Sequence, residues 1–208
     1  MDMETTIKNH LEEVYANLTG TPTDFLIPVN FLDEYIKTED FIKIYNDIIV
    51  DKKNRFGYGH KVYTDDFPVF DRIRKRFPKL KNYFYFLKTN RVVKTYPIHI
   101  DGPGEFDSKA GINWPLLNCD SDSDTIWYTV DKHEFYYHDI QNSIFLNDDV
   151  VATELHKFNF VDKTPYLFRG DVWHTGINRK NQRDFRVMVK WELSVQNWKE
   201  AQDALSIS

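Results

Sequence analysis

Two short segments hold the residues best suited to chemistry. They are His99-Ile100-Asp101 and Trp173-His174-Thr175-Gly176-Ile177-Asn178, the second followed by Arg183 and Arg186. Together they bring two imidazoles, one carboxylate and a cationic fork. Two histidines and a carboxylate are the set that holds non-haem Fe(II) on one face of an octahedron, leaving the other positions open to a co-substrate and dioxygen. Residue types alone are weak evidence, since 7 His and 32 Asp+Glu among 208 residues generate about one H-x-[DE] by chance. Local geometry separates the two copies that occur. His10-Leu11-Glu12 lies in Lys8 to Tyr15, which reads as helix, and there residues two apart point roughly 200° away from each other. It is expected as a solvated helix face. His99 and Asp101 follow the β-rich run Arg91-Val92-Val93-Lys94-Thr95-Tyr96-Pro97, and on an extended strand residues two apart share a face. Only this pair is placed to chelate.

Asp101 and His174 are far apart in the chain, so the fold must bring distant segments into one cavity. Length predicts one domain over 1–208 with room for a substantial core, and 16% aromatic residues argue against disorder over most of the chain. Helical support is expected over about 1–80. It comprises helices at Glu4 to Leu18, at Thr38 to Lys52, where Phe41, Ile42, Ile44, Tyr45, Ile48 and Ile49 recur with helical spacing, and at Pro68 to Phe77. From about Tyr83 to 195 the texture changes to short β-branched and aromatic runs between turn residues. Strands are predicted at Tyr83 to Leu87, Arg91 to Tyr96, Gly111 to Leu117, Thr125 to Val130, Glu134 to Tyr137, Val150 to Phe160, Pro165 to Phe168 and Arg183 to Leu193, with a short helix at about 196–206. About eight strands suit a mainly β, double-sheet jelly roll of cupin-like type with flanking N-terminal helices.

Charge and composition narrow the partners. A net charge of −5 and a pI near 5.8 argue against a general nucleic-acid binder, and the basic run Arg72 to Lys81 reads as the wet face of a helix end. No apolar stretch reaches the ~18 residues of a membrane span, and the first residues lack the pattern of a signal peptide. A cytoplasmic protein is the expectation, in line with a single cysteine, Cys119, read as an inert thiol. Oligomeric state is not legible.

Four strings carry a resemblance: Tyr96-Pro97-Ile98-His99-Ile100-Asp101-Gly102, then Ala110-Gly111-Ile112-Asn113-Trp114-Pro115-Leu116, then Gly170-Asp171-Val172-Trp173-His174-Thr175-Gly176-Ile177-Asn178, then Phe185-Arg186-Val187-Met188-Val189. In order, direction and approximate spacing they resemble the Fe(II)/2-oxoglutarate-dependent dioxygenases. The likeness covers about Arg91 to Leu193 and is nearest, in the last segments, to phytanoyl-type and prolyl-hydroxylase-type members. It implies a double-stranded β-helix in which His99, Asp101 and His174 bind Fe(II), with 2-oxoglutarate as co-substrate and dioxygen as oxidant. The implied outcome is hydroxylation of a small molecule or a protein side chain. A halogenase is disfavoured because Asp101 is a carboxylate where that chemistry leaves a vacancy for chloride.

In this family the distal carboxylate of the keto acid is anchored from the strand after the distal histidine, and a guanidinium fork suits it. Arg183 and Arg186 are the candidates. Arg183 shares strand parity with Phe185, Val187, Val189 and Trp191, the apolar face expected under the helices, whereas Arg186 shares it with Met188, Lys190 and Glu192. Arg186 is therefore favoured. Asn113 is a candidate for a hydrogen bond to keto acid or substrate, against the alternative of a strand-end amide satisfied by backbone. Tyr96, Trp114, Trp127 and Tyr128 read as core before substrate wall. His133 and His138 match no structural zinc pattern, His60 and His156 read as surface or hydrogen-bonded core residues, and Asp120-Ser121-Asp122-Ser123-Asp124 reads as a solvated turn rather than a calcium loop. Two other classes stay open: a cupin-like metalloprotein without keto acid, and a non-catalytic jelly-roll binding module.

Overall fold

Apolar spacing and a cap set the first element. In α1 (Met3–Ala16) the Asp2 carboxylate accepts the Thr5 N–H at 2.8 Å, and Ile7, Leu11 and Val14 form the buried stripe. The computed structural model describes residues 2–51, 59–89, 97–101, 109–119, 123–138, 143–160, 163–178 and 186–207. Along the chain follow β1 (Leu26–Pro28), α2 (Thr38–Asp51), β2 (Gly59–Tyr63), α3 (Asp71–Arg76), β3 (Tyr83–Thr89), β4 (His99–Asp101), β5 (Ala110–Leu117) and β6 (Ser123–Val130). Then come β7 (Phe135–His138), β8 (Ser143–Leu146), β9 (Ala152–Asn159), β10 (Tyr166–Arg169), β11 (His174–Asn178), β12 (Arg186–Glu192) and α4 (Trp198–Ala204).

The strands form two antiparallel six-stranded sheets, ordered β1-β10-β5-β12-β3-β2 and β7-β8-β4-β11-β6-β9. Strand alternation decides what each face meets. On β12, Val187, Val189 and Trp191 join the large core with α2, α3 and α4, in which Phe41 packs against Trp114 at 5.1 Å and edge-on against Phe84 at 5.3 Å. The other face of β12 turns to the second sheet, where Met188 is buried with Trp127, Phe168 and Val172. The outer face of the second sheet is covered by α1, with Ile7 and Leu11 packed among Ile100, Ile144, Leu146 and Trp173. Two sheets thus face each other, each backed by helix. The register of β12 against β5 shifts between Val187 and Met188, beside Pro115. Proline cannot donate to the ladder, so a bulge is the way to keep it in a central strand.

Several expectations change. Twelve strands are present among the described residues, against about eight expected. β1 and β4 are three residues long, too short for alternation to register, and β11 contains Gly176, which breaks the pattern. β1 and β2 also place strands inside the segment read as helical support. The helix expected at Pro68 to Phe77 divides into a 3-10 turn, Pro68–Phe70, and α3. Asp124, expected in a solvated turn, is a buried residue of β6 whose carboxylate lies 3.1 Å from the Lys157 ammonium. His10 does not face open solvent either: Nε2 lies 3.4 Å from a buried Asp171 oxygen. The strand expected at Arg91 to Tyr96, and Asp120 to Asp122, lie outside the described residues. Among the described residues, no helix is long and apolar enough to cross a membrane.

Candidate metal centre

β4 and β11 are antiparallel neighbours, and His99 stands directly opposite His174 in their register. Asp101, two residues along β4, shares the inward face with both. The donor atoms of His99, Asp101 and His174 lie within 4.8 Å of one another. Nε2 of His174 is 3.7 Å from Oδ2 of Asp101, and Nε2 of His99 is 3.9 Å from Oδ1. Donors at about 2.1 Å from one ion lie about 3.0 Å apart on adjacent corners of an octahedron, so an ion held on one face would draw these two contacts in by less than about 1 Å.

Both rings are set for that role by backbone. Nδ1 of His99 lies 3.0 Å from the Pro97 carbonyl and Nδ1 of His174 lies 2.8 Å from the Val172 carbonyl. A carbonyl only accepts, so each Nδ1 carries the proton and each Nε2 keeps its lone pair, the tautomer a metal ligand requires. Burial keeps the imidazoles neutral: it pushes His99 down to about 3, aided by His174, and lowers His174 too. For Asp101 burial works the other way, but the Lys190 ammonium beside it holds the carboxyl well below the usual range. The donor set fits a divalent ion.

A pH dependence follows. Unfolded histidines take up protons below about pH 6.5, whereas His99 in the fold resists until about 3. Between those values the unfolded state binds more protons, so stability is fully present above about 6.5 and is lost as pH falls toward 3. Asp101, whose folded value is also depressed, loses its contribution as pH falls below its unfolded value. The melting temperature of the metal-free protein is expected to decline steadily from pH 6.5 to 4, and a flat profile would contradict the buried neutral pair.

The facing sheet carries polar groups on its inward side. Arg186 is buried on the inward face of β12; Nε has no hydrogen-bond partner, and the side chain makes no ion pair among the described residues. Asn113 on β5 is opposite Lys190 in register, and its buried Oδ1 likewise lacks a partner. Arg183 and Tyr96 lie outside the described residues. Trp114 belongs to the outer core, its Nε1 donating to Thr38 Oγ1 at 3.0 Å. Trp127 is fully buried between the sheets, directly opposite His174. Tyr128 packs toward α1. Trp114 and Trp127 are fully buried, whereas Tyr128 is half-buried at the margin of the α1 cluster. Phe145 flanks His99 with ring centroids 5.7 Å apart, and Phe168 meets His174 edge-on at 5.1 Å. His133 accepts from Trp173 Nε1 at 3.1 Å, and His156 stacks on Phe25, so neither joins the triad.

Three contributors escape sequence reasoning. Lys190, on the same face as Arg186, places Nζ 2.7 Å from Oδ2 of Asp101. Its parity with Arg186 was legible, but a lysine on a strand reads first as a solvated residue. Gly170 packs its backbone against the Asp101 side chain, and its carbonyl accepts the Asp101 N–H at 2.9 Å. Tyr15, from α1, donates to the Tyr128 carbonyl at 2.5 Å and accepts the Trp173 N–H at 3.1 Å, fixing the backbone one residue before His174. No local signal in the sequence links Tyr15 to that strand. No protein-family model and no curated protein matches this chain.

Proposed function

We propose that the chain is an Fe(II)- and 2-oxoglutarate-dependent oxygenase built on a double-stranded β-helix, hydroxylating a small molecule or a protein side chain. The observation that carries this reading is the pairing of the His99-Asp101-His174 cluster on one sheet with a buried, partnerless Arg186 Nε on the other. A buried guanidinium nitrogen without a partner is costly, and a carboxylate from a bound keto acid is the ligand that removes the cost. The two-sheet topology, with the triad on β4 and β11 and the arginine on β12, supports the jelly-roll assignment.

In this reading His99, Asp101 and His174 hold the ion through Nε2, one carboxylate oxygen and Nε2. When bound, iron supplies dioxygen activation, in which one oxygen atom enters succinate as 2-oxoglutarate loses CO2 and the other enters a substrate C–H bond as hydroxyl. The chain itself binds and orients. Arg186 takes the distal carboxylate of the keto acid, and Asn113 Oδ1 faces the same space as an acceptor for a donor on co-substrate or substrate. Phe145, Trp127, Phe168 and Met188 make the surroundings apolar and keep water from the reacting centre.

The test is anaerobic titration of the Fe(II)-loaded protein with 2-oxoglutarate, watching for the weak visible band of a chelated keto acid. The band is expected in the wild type and absent from His174→Ala, which loses iron. Tight iron binding without the band would remove the keto acid from the reading; failure to bind iron would remove the metal centre.

A further inference from the structure

We propose that Lys190 is a positioning residue that sets the charge of the metal centre: its ammonium neutralises Asp101, so that an ion held by the triad keeps its charge for an anionic ligand. This rests on the metal-centre reading above. The contact is close and sheltered, with Nζ 2.7 Å from Oδ2 and the two side chains only 17% and 12% exposed. It crosses from one sheet to the other, so it also clamps the strand that carries the carboxylate to the strand that carries Arg186.

The charge count decides the consequence. Two imidazoles with their protons committed to the Pro97 and Val172 carbonyls are neutral, and Asp101 is an anion. With Lys190 beside it the donor set sums to zero rather than to one negative charge. A divalent cation entering that set meets a resident positive charge, which weakens its hold. An anion approaching the bound cation meets the ion's undiminished charge, with Lys190 and Arg186 on the same face of β12, which strengthens its hold. Gly170 packs closely against the same carboxylate, close enough that a Cβ there would sit 2.8 Å from the Oδ2 that meets the ammonium.

The two affinities therefore move in opposite directions when the charge is removed, which a lysine that merely braces the fold would not produce. The experiment measures the Co(II) dissociation constant of the metal-free protein, then the azide dissociation constant of the Co(II)-loaded protein from its visible spectrum. It compares wild type, Lys190→Met, Lys190→Gln and Lys190→Arg. The two neutral variants are expected to bind Co(II) about tenfold tighter and azide about tenfold weaker, the scale of one unit charge at this distance in a partly screened site. Lys190→Arg restores both values. Lys190→Gln can still donate to Asp101 and guards against a Met variant that folds poorly. If both affinities fall together, or neither moves, the proposal is overturned and Lys190 is structural. A wild type that fails to hold Co(II) is a different failure, because it removes the metal centre itself.

Discussion

An Arg186→Met protein is expected to hold Fe(II) as the wild type does, to lose its 2-oxoglutarate, and to melt at a higher temperature. The loss follows from the anchor: a guanidinium binding a carboxylate in a dry site makes paired, charge-assisted bonds. Truncating one partner of such a pair costs about 3–4 kcal/mol, or roughly a hundredfold to a thousandfold in the keto-acid dissociation constant. The gain follows from the state without ligand. Arg186 is buried, with Nε lacking a hydrogen-bond partner, and methionine fills a similar length without a charge to desolvate. Its neighbour two residues along is Met188, already packed with Trp127 and Phe168, so the surroundings accept a thioether. Calorimetric titration with 2-oxoglutarate and a thermal melt, run on the same preparation, check both halves. A variant that melts lower and binds keto acid unchanged would mean that Arg186 is a structural cation and that the co-substrate is anchored elsewhere.

The alternation that singles out Arg186 shows what a sequence can disclose about such a site. Arg186, Met188 and Lys190 share one face because strand side chains alternate, and the opposite residues, Val187, Val189 and Trp191, are apolar enough to identify the helix-covered side. The same two-residue period separates His99-Ile100-Asp101 from His10-Leu11-Glu12, whose helix points its two residues apart. Helix α2 was legible for the matching reason, a long stretch with one buried stripe. The strands that carry all three candidate ligands, β4 and β11, are only three and five residues long, and neither is among the strands expected from the sequence. Contacts that depend on which segments meet were beyond reach. Tyr15 lies in a helix with no mark of function, yet its hydroxyl bonds both Tyr128 and Trp173 beside His174. Asp124 stands among acidic residues that look solvated until Lys157 is seen across the ladder. Lys190 became a site residue only when the opposing sheet brought Asp101 to it.

Gly170→Ala is expected to keep the fold and weaken Fe(II) binding by about tenfold to a hundredfold, the range typical of groups that orient metal ligands. The added methyl carbon would lie 2.8 Å from Oδ2 of Asp101, 3.0 Å from its Cβ and 3.4 Å from its Cγ. Something must give, and the backbone is the stiffer party: the Gly170 carbonyl accepts the Asp101 N–H at 2.9 Å, and the Gly170 N–H donates to the Lys109 carbonyl at 2.9 Å. The carboxylate is the end of a side chain and yields first. Its displacement moves it away from the His99 and His174 nitrogens that it now faces at 3.9 and 3.7 Å. Overpacking of this kind costs stability about 1–3 kcal/mol, which a melting curve reads separately from metal affinity. Gly176→Ala is the matched control: it lies on β11 two residues past His174, and a Cβ there meets nothing within 4 Å. If the two alanine variants bind Fe(II) alike, Asp101 is not a ligand and the centre reduces to a pair of buried histidines. If only Gly170→Ala weakens, the carboxylate is held in its ligating position by the absence of a side chain at residue 170.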